Sequence, residues 1–99
     1  MTTKPEQIQL DKGPSGGRYS YPFPDGTAAE MVYVERSSVV TITHTETPRH
    51  HRGGGTAAAL VEKAVEDFRA AGRKVVPACS FARRQFDEHP DWADLLARG

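Results

Sequence analysis

Arg52-Gly53-Gly54-Gly55-Thr56-Ala57 is the stretch whose residue types point most directly to chemistry. It lies between a β-branched run, Val39-Val40-Thr41-Ile42-Thr43-His44-Thr45, and a helical periodicity that begins at Ala57. A glycine-rich turn that opens a helix leaves several N–H groups without intrahelical partners, at the positive end of the helix dipole. Glycines let a ligand approach the backbone closely and Arg52 adds a full positive charge, so the turn suits a phosphate or pyrophosphate. No Gly-Lys-Ser/Thr closes it, which excludes a P-loop. Gly53-x-Gly55-x-x-Ala58 fits a loose dinucleotide fingerprint. That fingerprint also needs an acidic residue roughly 20 residues further on. Here the next strand, Lys74-Val75-Val76, runs into Pro77-Ala78-Cys79. A flexible glycine loop without a ligand is the alternative.

Titratable groups flank the turn. Strand periodicity over residues 39–47 predicts Val40, Ile42, His44 and Glu46 on one face, with Val39, Thr41, Thr43, Thr45 and Thr47 on the other. His44 and Glu46 would then end an apolar face just before the ligand turn, where site residues are expected; a strand end reaching solvent is the competing reading. Cys79 falls between a strand and a helix N-terminus, so the dipole faces its sulfur, with Arg83 and Arg84 nearby. A small buried hydrophobe is the competing reading there. His44, His50 and His51 match no zinc spacing and there is no second cysteine, so no metal site is expected. His50 and His51 read as solvent-facing loop residues within reach of an anionic ligand.

The elements that must position these groups are legible in outline. Short strands are predicted at 8–11 and 18–21, separated by the glycine-rich loop 13–17. Strands follow at 28–36, after the Asp25-Gly26 turn, and at 39–47, after Ser37-Ser38, giving an antiparallel meander. A helix over 57–71 carries Ala57, Leu60, Val61, Ala64, Val65 and Phe68 on one stripe, and Gly72 stops it. That helix joins the strand 39–47 to a strand at 73–77 as a crossover. A second helix carries Phe81, Ala82 and Phe86; His89-Pro90 ends it, and Asp91 is placed to cap a last turn with Trp92, Leu95 and Leu96.

Composition narrows the class. Ninety-nine residues give one small domain, expected over 8–99 with a frayed segment at 1–7. Thirteen lysines and arginines balance thirteen aspartates and glutamates, so no global field draws in nucleic acid or an anionic membrane. Arg83-Arg84 is too small a basic patch to change that. No apolar run has bilayer-spanning length, the N-terminus lacks a signal-peptide core, and the single cysteine forms no internal disulfide. A cytoplasmic location is the resulting expectation. An exposed sheet edge could pair with a second copy, so a monomer or weak homodimer is expected.

Together these residues resemble a known family. Arg52-x-x-Gly55-x-Ala57 is similar to the acyl-coenzyme A pyrophosphate motif of the GNAT-type N-acetyltransferases. His44-Thr45-Glu46, Val76-Pro77-Ala78-Cys79-Ser80-Phe81 and His89-Pro90-Asp91-Trp92-x-x-Leu95-Leu96 resemble the small single-domain YjdJ-type subfamily, in order and spacing from Ala28 to Leu96. The resemblance implies a minimal GNAT-like α/β (α+β) fold, a mixed, mostly antiparallel sheet with two main helices packed on it. It implies acetyl-coenzyme A as acyl donor and an amine-bearing small molecule or protein side chain as acceptor. Thr47, Arg52, Gly53, Gly54, Gly55, Thr56, Ala57, Ser80 and Phe81 would bind the coenzyme. His44 and Cys79 match the subfamily's proposed active-site pair: His44 as general base, with Glu46 as the lesser candidate, and Cys79 as nucleophile or as acid toward the departing thiolate. A backbone N–H near the strand splay would steady the oxyanion. Ser80 stands where relatives commonly have proline, and Gln85 where they often have tyrosine, so that position supplies no phenolic acid. Direct transfer is favoured over an acetyl-cysteine intermediate. A non-catalytic acyl-coenzyme A-binding module or sensor is the alternative function, and an interaction protein that uses the fold alone is a third.

Overall fold

Period-two alternation of apolar residues sets the inner face of the sheet. The computed structural model describes residues 3–97. Strands β1 (Gln9–Gly13), β2 (Gly16–Pro22), β3 (Ala28–Arg36), β4 (Val39–Glu46) and β5 (Lys74–Pro77) form one five-stranded sheet in the order β1-β2-β3-β4-β5. The first four make an antiparallel meander, and β5 lies parallel to β4. Parallel neighbours require a crossover, and helix α1 (Thr56–Ala70) supplies it. Helix α2 (Ser80–Glu88) and a 3-10 turn, Pro90–Leu95, follow β5, after which Leu96 bridges back to Val75. The result is a mixed, mostly antiparallel α/β architecture. No helix among the described residues is long and apolar enough to cross a membrane.

One face of the sheet is covered and the other is wet. Tyr19, Met31, Tyr33, Val40, Ile42 and Val75 pack under Leu60, Val61, Ala64, Val65 and Phe68 of α1. Ala82, Phe86, Trp92 and Leu95 extend the same core beside it. Each large aliphatic side chain or phenylalanine buried there contributes roughly 1.5–3 kcal/mol. The Tyr19 hydroxyl, beneath α1, donates to Asp67 Oδ2 at 2.7 Å, which ties β2 to the helix. Its ionisation is pushed well above the ordinary range, first by burial and then by that carboxylate.

Three local features differ from expectation. Gly13 pairs with Gly16, so the glycine cluster is part of an extended hairpin and lengthens both strands. Within the segment expected to fray, Pro5–Gln7 form a 3-10 turn; Lys4 N–H donates to the Tyr21 hydroxyl, which donates to Gln7. Residues 1 and 2 of that segment lie outside the described residues, as do 98 and 99. The last turn starts at Pro90, with His89 before it, and has no side-chain cap from Asp91. Proline presets the first turn, and the His89 ring stacks on Trp92 with centroids 3.9 Å apart.

Candidate active site

A β-bulge decides which way the candidate base points. Tyr33 opposes Ile42 while Val32 opposes His44, leaving Thr43 as the extra residue of β4. The bulge resets the alternation. His44 now shares the open face with Val32, and Glu46 shares it with Glu30, while Thr45 opposes the fully buried Met31 on the covered face. This corrects the strict period-two reading, in which His44 and Glu46 continue the face of Val40 and Ile42. His44 Nε2 lies 3.8 Å from Glu30 Oε2 and 3.5 Å from Glu46 Oε1, and Glu30 also meets Arg18 at 3.4 Å.

Beyond the bulge, β4 and β5 part. Their last ladder pair is Ile42 with Pro77, and the Ile42 carbonyl accepts from both Ala78 and Cys79 N–H just after β5. Pro77 then ends β5 and α2 turns away, leaving the edge of β4 from His44 to Thr47 along an open wedge. Cys79 caps α2: its sulfur accepts from Ala82 N–H at 3.4 Å and sits 3.8 Å from the Thr45 hydroxyl, half-buried on the covered side. His44 and Cys79 therefore lie on opposite faces of β4, and no hydrogen bond joins their side chains.

The glycine turn closes the wedge at its other end. Gly55 caps α1 in the left-handed region (φ 80°, ψ 6°), and Gly53 also has positive φ, 88°. The first intrahelical bond runs from Ala59 N–H to the Gly55 carbonyl. The N–H groups of Thr56, Ala57 and Ala58 therefore face outward without an intrahelical acceptor. Arg52 Nε donates to the Thr47 carbonyl at 3.1 Å, which folds the turn back onto the end of β4.

These parts border one groove of about 750 Å³, within the size range of small-ligand sites. His44, Glu46, Thr47, Arg52, Gly53, Gly55, Thr56, Ala57, Ser80 and Phe81 line it, with Arg84 and Gln85 of α2 across from the turn. Gly54 and Cys79 are not among its lining residues. Sequence reasoning missed Thr45, which the bulge delivers, and Glu30, which lies on another strand. The bulge has no signature in the chain. Glu30 carries one only in retrospect, as a charged residue between the buried Ala29 and Met31.

His50 and His51 are not free in the loop. His50 Nε2 lies 2.6 Å and His51 Nε2 3.0 Å from Asp25 Oδ2, and His51 stacks on Phe23 at 3.6 Å. Asp25 also accepts from the Thr27 hydroxyl and N–H. Those two bonds chiefly, then the histidines, hold its carboxyl far below the usual carboxylate range.

The family model described as GCN5-related N-acetyl-transferase matches residues 18–95. Among solved structures, the chain is similar to the NMR solution structure of a GCN5-like protein from Staphylococcus aureus, provisionally assigned as an N-acetyltransferase. The match has a TM-score of 0.65, 20% identity, and covers 92% of this chain and 89% of that one. At that identity the likeness is one of fold. None of the curated proteins matches the sequence.

Proposed function

The chain belongs to the GCN5-related N-acetyltransferase family, and from that premise we propose that it transfers the acetyl group of acetyl-coenzyme A directly to an amine. The observation that carries this reading is the outward fan of N–H groups at Thr56–Ala58, backed by the α1 dipole and placed at one end of the wedge between β4 and β5. That fan, with Arg52, suits the pyrophosphate, and Arg84 adds charge on the opposite wall. Ile42 directs its carbonyl toward β5, and across the one-residue bulge Thr45 inherits that direction. Its N–H and C=O are thus turned to the open edge, where they suit the pantetheine amides and the developing oxyanion.

His44 acts as the base from the open face. Glu30 and Glu46 both lie on its Nε2 side, which leaves Nδ1 to take the proton of the attacking amine. The amine nitrogen bonds to the thioester carbon, the C–S bond breaks, and the coenzyme A thiolate leaves. Cys79 is engaged as the cap of α2, which supports direct transfer over a Cys79 acyl intermediate.

A thiol-release assay across a panel of amines tests this. His44→Gln lowers kcat by about two to four orders of magnitude while KM for acetyl-coenzyme A stays within about twofold. An unchanged kcat would remove His44 from the chemistry. Tight coenzyme binding with no release for any amine would favour a non-catalytic acyl-coenzyme A sensor, which the shallow, open acceptor side also suits. Cytoplasmic residence and a monomer or weak homodimer complete the proposal, and the balanced charge favours an amine acceptor over nucleic acid or membrane as partner.

A further inference from the structure

We propose that Asp25, His50 and His51 form a divalent transition-metal site of the two-histidine, one-carboxylate type, adjoining the groove that His51 also lines. The sequence spacing of the histidines matches no zinc pattern because the third ligand comes from the β2–β3 turn. The fold brings all three ligand atoms within 4.8 Å of one another. Two imidazole Nε2 atoms aim at a single carboxylate oxygen, at 2.6 and 3.0 Å. Bonds of about 2.0–2.1 Å in a tetrahedral site put ligand atoms roughly 3.3 Å apart. The two histidine–carboxylate edges reach that spacing with shifts of less than about 1 Å, and the third edge, between the histidines, starts within 4.8 Å.

The surroundings hold the ligands as a metal site requires. Thr27 donates twice to Asp25 Oδ1 and leaves Oδ2 to face the histidines. Phe23 fixes the plane of His51 by stacking, within 7° of parallel. Imidazole and carboxylate together suit Zn²⁺, Co²⁺ or Ni²⁺, with water completing the shell. The other triad of ligating groups, Glu30, His44 and Glu46, offers one imidazole at 3.5–3.8 Å, and Glu30 already faces the cationic Arg18. A bound ion would rivet the β2–β3 turn to the loop that leads into Arg52.

The test is equilibrium dialysis of the full chain with Zn²⁺, paired with Co²⁺ absorption spectroscopy. One ion per chain is expected, with visible Co²⁺ bands characteristic of nitrogen and oxygen ligation. Affinity should fall by more than about tenfold in His50→Gln and in Asp25→Asn, and stay unchanged in His44→Gln. His50 is exposed, so its variant should keep the wild-type circular dichroism and remain informative if Asp25→Asn unfolds. No saturable binding by folded wild-type protein would overturn the site. So would binding that survives His50→Gln or is lost in His44→Gln.

Discussion

Gly55→Ala isolates the backbone conformation on which the anion turn depends. Gly55 sits at φ 80° and no atom lies within 4 Å of an added Cβ, so the substitution meets strain without a clash. Left-handed backbone costs an L-residue about 1–2 kcal/mol. Restricting the unfolded chain returns about 0.4–1 kcal/mol, leaving a net loss of roughly 0.5–1 kcal/mol. In a domain of this size that lowers Tm by roughly 2–8 °C. Relaxing the strain rotates the N–H groups of Thr56 and Ala57 away from a common focus. Losing one hydrogen bond to a charged group is worth about 1.5–3 kcal/mol, so affinity for acetyl-coenzyme A should fall roughly tenfold to a hundredfold. Gly54→Ala is the control: Gly54 lacks a positive φ, and its added Cβ makes an ordinary 3.6 Å contact with the His51 carbonyl. Urea unfolding and calorimetric titration of both variants decide the matter. Equal effects of the two substitutions on stability and affinity would refute the conformational reasoning.

Further outcomes follow from single contacts. Tyr19→Phe removes the 2.7 Å bond to Asp67 from under α1 and should cost about 1.5 kcal/mol by denaturant titration. Asp25 titrates far below an unfolded aspartate, so the stability it contributes is full above the ordinary carboxylate range, near pH 4, and is lost as pH falls through its depressed folded value. The stability gap between wild type and Asp25→Ala should therefore close in strong acid, measured by urea unfolding across pH. Cys79→Ser keeps an oxygen at the α2 cap and should retain turnover, and intact-mass spectra during turnover should show no acetylated enzyme. Cys79→Ala should lose about 0.5–2 kcal/mol with the cap.

What could be read from the chain was what local patterning writes. The strand 28–36, the Ser37-Ser38 turn, the helix stripe from Leu60 to Phe68 and the crossover to Val75 all rest on periodicity and turn residues within a few positions of one another. The glycine turn was legible for the same reason. The side His44 faces was not, because a bulge adds one residue without any compositional mark and inverts every later position of β4. Nor was the partnership of Asp25 with His50 and His51, which a sheet register and a loop bring together over 25 and 26 residues.

Calorimetric titration of the purified protein with acetyl-coenzyme A, alongside Arg52→Glu, bears most directly on the central claim. One coenzyme per chain should bind to wild type, and binding should be lost in the variant, whose carboxylate would face the pyrophosphate and give up the bond to Thr47. Folded wild-type protein that binds no acetyl-coenzyme A, or an Arg52→Glu variant that binds equally well, would contradict it.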